Sequence, residues 1–181
     1  MAQYNGYVSV PHGSYNEWRA ATLGNGYNVD YSYGNQCWDY CALLYWQYGL
    51  TLYTKAGGGT AADCWNYSRN ANSRDPFISL TGVTNIKRGD IIVFDGDWQN
   101  PAGHICFADE DYKVGGINTV EQNGYNPSAP VVIGHTSLNG FLGIFRNTKW
   151  TESPEPTPTG STKKKKFPWP IAWHHWQNFK H

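Results

Sequence analysis

Residues 34–49 read GNQCWDYCALLYWQYG and predict a helix that begins beside a cysteine. Asn35 is a good N-cap, and Gly49 would end the helix after residue 48. Between them, side chains that can face a core repeat every three or four positions, at Cys37, Cys41, Leu44 and Tyr48. In the first helical turn, free backbone amides and the helix dipole would stabilise a Cys37 thiolate. Most free cysteines are small buried residues, so this position alone leaves a nucleophile and a core thiol equally open.

The rest of the first half also favours helices, whereas the second half favours strands. Ser14 can cap a helix, with Glu17 at the capping-box position and Gly24 at its end. A third, short helix is predicted over TAADCWNYSRN, residues 60–70. Beyond Pro76, four β-rich runs are bounded by Gly, Asn and Pro: GDIIVFDG, GHICFADED, INTVEQNG and GFLGIFRN. Helices followed by antiparallel strands predict an α+β domain.

The net charge is zero but unevenly distributed, which weighs against nucleic-acid binding. Residues 151–181 hold five Lys against two Glu, and the preceding residues hold nine Lys or Arg against twelve Asp or Glu. A nucleic-acid-binding domain needs a basic face, which this mildly acidic body lacks.

The chain shows neither an apolar stretch long enough to span a membrane nor a secretory signal. We therefore expect a protein made in the cytoplasm with its four cysteines reduced, and we expect a monomer.

Two later segments supply the polar side chains that a cysteine nucleophile needs. His104 follows Gly103 at the start of a predicted strand, an edge from which an imidazole can reach a helix N-terminus. Glu121 and Asn123 are two positions apart in TVEQNG, so a strand would place both on one face. Either side chain could hold the imidazole in the tautomer that a Cys–His pair requires.

In this order, the segments QCWDY, GDIIVF, GHICF and EQNG resemble the CHAP domain, the cysteine, histidine-dependent amidohydrolase/peptidase module of phage endolysins and bacterial autolysins. The resemblance covers roughly residues 14–147. It implies a papain-like α+β fold, with N-terminal helices packed on an antiparallel β-sheet. It also implies Cys37 as nucleophile, His104 as base, and Glu121 or Asn123 as the orienting group. The implied substrate is an amide bond of bacterial peptidoglycan, reached after release by a holin or by lysis.

An acyl-transfer mechanism needs further groups around these residues. Glu121 is favoured over Asn123 as the partner of the imidazole, because a carboxylate stabilises imidazolium better. The backbone amide of Cys37 and the side chain of Gln36 are candidate oxyanion donors. Trp98, in the loop DGDWQNPAGH, could line a groove for the substrate, with simple packing as the alternative. Two other functions stay open: a non-catalytic peptidoglycan-binding module, and a papain-like protease that acts on proteins.

A calcium site is one interpretation of the loop around the cysteine. Four residues with oxygen ligands cluster there: Asn28, Asp30, Ser32 and Asp39. Some phage CHAP domains carry a calcium loop at this place, usually with more acidic residues. An Asx-type turn within the loop is the equal alternative. Zinc is disfavoured, because neither CxxC nor HExxH occurs in the sequence.

The composition changes after residue 150 and predicts three parts. These are a CHAP catalytic domain at 1–150, a Pro/Thr/Ser linker at 151–162, and a basic, Trp-rich tail at 163–181. Lysines of the tail would be drawn to anionic membrane or wall polymers, and its indole rings would settle at the headgroup level. As alternatives, residues 163–181 are the truncated start of a second domain or an appended peptide.

Overall fold

The computed structural model describes residues 2–55, 59–71, 76–123 and 129–150. The predicted linker at 151–162 and tail at 163–181 lie outside these residues, so the division into three parts stays a prediction. Within the described residues lie three α-helices: α1 (Tyr15–Thr22), α2 (Cys37–Gln47) and α3 (Ala61–Ala71). All three were predicted, with ends that differ by one or two residues. In the described part of the chain, no helix has the length and apolar character needed to cross a membrane.

Strands form one short pair and one large sheet. The three-residue strands β1 (Gln3–Asn5) and β2 (Gly26–Asn28) pair in parallel. The other six form an antiparallel sheet, in the spatial order β3 (Phe77–Leu80), β8 (Phe141–Asn147), β4 (Ile91–Phe94), β5 (His104–Ala108), β6 (Ile117–Glu121), β7 (Val132–Thr136). The four β-rich runs became β4, β5, β6 and β8, whereas β1, β2, β3 and β7 were not singled out. Helices followed by this sheet make the α+β fold that the sequence predicted.

Helix α2 packs against β5 through buried aromatic rings. The Tyr40 ring meets Phe107 edge-on, with centroids 4.9 Å apart, and stacks on Trp18 of α1 at 5.6 Å. All three side chains are 0% exposed, and burying a large apolar side chain stabilises the fold by roughly 1.5–3 kcal/mol. This packing fixes α2 on β5, and therefore fixes Cys37 relative to His104.

The start of α2 differs from the prediction by one residue. The N-cap is Gln36 rather than Asn35, with extended backbone angles of φ −94° and ψ 157°. Its N–H donates to Asp39 Oδ2 at 2.8 Å. Asn35 is instead buried, and its Nδ2 donates to Gln3 Oε1 at 3.0 Å. Local sequence could not reveal this contact, because the two partners lie 32 positions apart.

Candidate active site

The candidate nucleophile Cys37 is the first residue of α2 and is half-buried. The loop before it turns tightly: Tyr31, Tyr33 and Gly34 have left-handed φ values of 63°, 57° and 73°. Bulky residues rarely adopt such angles, and in folded proteins these angles concentrate at functional sites. The loop delivers the thiol to a helix N-terminus, where the first-turn amides lack intrahelical partners.

His104 and Glu121 form a buried pair on the adjacent strands β5 and β6. His104 Nε2 lies 3.1 Å from Glu121 Oε2, and the two side chains are 16% and 2% exposed. Thr119 donates its hydroxyl to the same carboxylate oxygen at 3.0 Å. Gly103 has φ +69°, and a Cβ there would lie 2.5 Å from Phe94 O. Glycine therefore fits the turn that places His104 at the first position of β5.

Two thiols lie beside the imidazole: Cys37 on α2 and Cys106, two residues along β5. Burial alone would lower the pKa of His104, but hydrogen bonds with Cys106, Cys37 and Glu121 outweigh it and raise the pKa well above its ordinary value. The imidazolium therefore persists to higher pH than that of a free histidine, which suits a group that must return a proton.

The two thiols differ in accessibility, which decides which one can meet a substrate. Cys106 is 0% exposed, and burial raises the pKa of its thiol although the hydrogen bond with His104 opposes this. Its sulfur, a nitrogen of His104 and an oxygen of Glu121 lie within 4.8 Å of one another. Cys41 and Cys64 are also buried, and all four cysteines are free. Cys37 alone among the four is partly exposed.

Asn123 does not share a strand face with Glu121, so that part of the prediction is wrong. Strand β6 ends at Glu121, and Asn123 has a left-handed φ of 58°. The alternation of a strand therefore does not extend to this residue. Its Nδ2 donates to Gln36 Oε1 at 3.2 Å. The structure thus joins Asn123 to the predicted oxyanion donor.

The side chain of Gln36 is held at both ends beside the nucleophile. Its Nε2 donates to Tyr33 O at 2.7 Å, while its Oε1 accepts the bond from Asn123. A carboxamide nitrogen carries two protons, so the second remains for an oxyanion.

Gln122 is a site residue that the sequence analysis missed. It is 0% exposed, and its Nε2 donates to Gln36 O at 2.8 Å. The same side chain bonds the backbone of Tyr27 in β2. Its place between Glu121 and Asn123 was the only signal that the sequence offered.

Two of the predicted calcium ligands, Asp39 and Asn28, have buried side-chain oxygens. Asp39 is 0% exposed, and its carboxylate accepts the N–H groups of Val29 and Gln36, both at 2.8 Å. Burial raises the pKa of Asp39 to about 7, with the bonds from Gln36 and Val29 opposing the rise and the charge of Asp30 adding to it. Asn28 Oδ1 is buried and has no hydrogen-bond partner among the described residues.

The Asx-type turn that formed the alternative is present as well. Asp30 Oδ1 accepts the N–H of Ser32 at 2.8 Å. A carboxylate oxygen has more than one lone pair, so this bond leaves room for a ligand. Asn28 precedes Val29, whose N–H Asp39 accepts, and an orphaned carbonyl oxygen in a loop that also holds two carboxylates has the chemistry that a hard cation such as calcium accepts.

Trp98 lies in the loop between β4 and β5 that leads to His104. Its side chain is 86% exposed, whereas Trp65 is 5% exposed within the main core. Packing inside the protein therefore does not explain Trp98. A contact between its indole ring and a substrate stays a prediction.

Comparisons in sequence relate the chain to phage proteins. The family model of the CHAP domain matches residues 13–123. A D-alanyl-L-alanine endopeptidase of Streptococcus phage B30 is 31% identical over 153 residues, which cover 75% of this chain and 33% of that protein. The chain thus spans about a third of the length of this relative.

Comparisons in structure agree with the fold. The crystal structure of the wild type endolysin LysIME-EF1 matches with a TM-score of 0.58 at 25% identity, over 75% of this chain and 64% of that one. The crystal structure of Ly7917 matches with a TM-score of 0.53 at 18% identity, over 76% and 62% of the two chains. At that lower identity, the second match supports the fold alone.

Proposed function

Because the chain belongs to the CHAP domain family, we propose that it hydrolyses an amide bond of bacterial peptidoglycan with Cys37 as the nucleophile. One observation carries the proposal: a partly exposed thiol at a helix N-terminus lies beside an imidazole that a buried carboxylate also contacts. A module that only binds the wall has no need of this acid–base chain. An enzyme is therefore favoured over a binding module.

The mechanism begins with proton transfer from the Cys37 thiol to His104, and the thiolate then attacks the carbonyl carbon of the amide. The Cys37 N–H and the Gln36 side chain stabilise the negative charge on the carbonyl oxygen. As the intermediate collapses, the C–N bond breaks and His104 gives its proton to the leaving amine. Water, deprotonated by His104, then attacks the thioester; the C–S bond breaks, and the acid product and the Cys37 thiol are released.

Glu121 is the orienting group in this mechanism. Its Oε2 contacts His104 Nε2 at 3.1 Å and is itself fixed by the Thr119 hydroxyl. The carboxylate stabilises the imidazolium that exists while His104 carries the extra proton. Asn123 has a separate task, because its amide orients Gln36.

The peptide part of the wall is the favoured place of cleavage. The phage B30 relative is named a D-alanyl-L-alanine endopeptidase, and the match covers 75% of this chain. This name supports an endopeptidase over an amidase that separates stem peptide from sugar. Such a substrate places the activity at the cell wall, which the protein would reach through a holin or through lysis. Trp98 would contact the substrate at the rim of the site.

A calcium ion in the loop around Cys37 forms the structural part of the proposal. Asn28, Asp30, Ser32 and Asp39 would supply its oxygen ligands. The ion would neutralise two carboxylates and hold the loop on the N-terminus of α2, without taking part in the chemistry. The orphaned Asn28 Oδ1 is the observation that supports it.

Digestion of purified peptidoglycan, followed by mass analysis of the fragments, tests the function. An endopeptidase releases a cut crosslink with a new amino terminus, whereas an amidase releases whole stem peptides from the glycan. Casein serves as the control substrate. Cleavage of casein without any change in the wall would favour a papain-like protease, and wall binding without products would favour a binding module.

A further inference from the structure

Gln122 is a buried side chain whose role the mechanism leaves open. Its Nε2 donates to Tyr27 O at 2.7 Å and to Gln36 O at 2.8 Å, while its Oε1 accepts the Tyr27 N–H at 2.8 Å. Both protons and the carbonyl oxygen of the amide are thus engaged, and every partner is a backbone group. A carboxamide bonded in this way has one orientation.

The bond to Gln36 O bears directly on the oxyanion. Gln36 O and the N–H of Cys37 belong to the same planar peptide group, so fixing the carbonyl fixes the direction of the N–H. A hydrogen bond to the carbonyl also polarises the peptide and makes its N–H a stronger donor. The carbonyl of an N-cap residue already accepts the first intrahelical hydrogen bond, so the bond from Gln122 is a second restraint on the Gln36–Cys37 peptide, and it comes from outside the helix.

We infer that Gln122 is a positioning residue for the oxyanion hole, which holds the Cys37 N–H toward the charge that develops on the substrate carbonyl. The inference rests on the proposed acyl-transfer function. Three consecutive residues then divide the site between them. Glu121 holds the imidazole, Gln122 holds the Gln36–Cys37 peptide, and Asn123 holds the Gln36 side chain.

Gln122→Met is the main test, because it keeps the length of the side chain and removes its polar bonds. Two reagents distinguish an effect on the oxyanion hole from an effect on the reactivity of the Cys37 sulfur. Iodoacetamide alkylates a thiolate without forming an oxyanion, whereas p-nitrophenyl acetate acylates it through a tetrahedral oxyanion. Neither reagent depends on peptidoglycan, so a failure of the inference can be told apart from a failure of the proposed function. Cys37→Ala gives the background of both reactions.

Gln47→Met is the matched control. Gln47 also bonds backbone groups from α2, with its Nε2 donating to Val8 O at 2.9 Å and its Oε1 accepting the Val10 N–H at 3.2 Å. It is the last residue of α2, at the opposite end from Cys37. Its loss should lower thermal stability without changing the reactivity of the site.

We expect the acylation rate of Gln122→Met to fall by about tenfold or more, since removing a direct oxyanion donor costs about 10²–10³-fold. Alkylation should stay near the wild-type rate, and on soluble wall peptides kcat should fall with little change in KM. Gln122→Glu keeps the acceptor for the Tyr27 N–H and removes the amide donor, so it tests the same bond if the methionine variant does not fold. The inference is overturned if acylation is unchanged in a folded variant, if alkylation falls equally, or if Gln47→Met gives the same loss.

Discussion

Glu121→Gln removes the charge beside His104 while it keeps the size of the side chain. A glutamine oxygen can still accept bonds from His104 and Thr119. What is lost is a carboxylate charge 3.1 Å from the imidazole, in a pair whose side chains are 16% and 2% exposed. A hydrogen bond to a charged group contributes about 1.5–3 kcal/mol, against about 0.5–1.5 kcal/mol for a neutral one. The difference, about 1–1.5 kcal/mol, corresponds to a change of about one pH unit in the pKa of His104.

We therefore expect the raised pKa of His104 to fall by about one pH unit in the variant. His104 must carry a proton to protonate the leaving amine, so the alkaline limb of kcat/KM should move to lower pH by the same amount. The assay is kcat/KM on a soluble wall peptide across the neutral and alkaline range.

Thermal stability should change with pH in the same sense. A histidine whose pKa is raised by folding stabilises the folded state fully below its ordinary pKa of about 6.5, and this contribution is lost as the pH rises through the raised value. The difference in Tm between wild type and Glu121→Gln should therefore be largest in acid and shrink in alkali.

Asn123→Ala is the control for this experiment. Asn123 bonds Gln36, so its loss should lower kcat without moving the alkaline limb. An alkaline limb at the wild-type pH in a folded Glu121→Gln variant would refute the reasoning. A limb that moves only in Asn123→Ala would make Asn123 the partner of the imidazole.

Three further outcomes are expected. Trp98→Ala should raise KM for peptidoglycan by roughly 2–10-fold, because an aromatic contact contributes about 0.5–1.5 kcal/mol; Tm should not change, and an unchanged KM would remove Trp98 from the substrate site. Calcium at about 100 times its Kd should stabilise the fold by about 2.7 kcal/mol, measured as a higher Tm than in chelator. Asn28→Ala should lose this response and Asp97→Asn, in a surface Asx turn, should keep it; equal Tm values in calcium and chelator would exclude the site. Deleting residues 163–181 should weaken sedimentation with anionic vesicles, most at low salt, while soluble wall fragments are still cleaved; unchanged sedimentation would leave the tail without this role.

Local signals in the sequence were sufficient for the three helices and for β4, β5, β6 and β8 of the large sheet. Ser14 accepts the N–H of Glu17 at 3.2 Å and caps α1 as predicted. The strands of four to seven residues in the β-rich runs could be predicted because each is bounded by turn residues. Strands β1 and β2 could not, since each has three residues and they pair across more than 20 positions of chain.

Those site residues could be predicted whose position follows from the helix or strand that carries them. Cys37 and His104 lie where a helix N-terminus and a strand start place them. Asn123 was placed on the wrong face because the alternation of β6 stops two residues before it. Gln122 was missed because its hydrogen bonds reach Gln36 and Tyr27, which are far from it in the sequence.

Two thiols contact the same imidazole, and comparing them tests the central claim most directly. Cys37→Ala and Cys106→Ala each remove one sulfur from the surroundings of His104. The measurement is the rate at which new amino termini appear in purified peptidoglycan, with thermal melting to confirm that both variants fold. We expect Cys37→Ala to lose at least about 10³-fold in rate, while Cys106→Ala hydrolyses the wall at a rate close to wild type. Hydrolysis at the full rate by Cys37→Ala, or its loss only in a folded Cys106→Ala variant, would contradict the account.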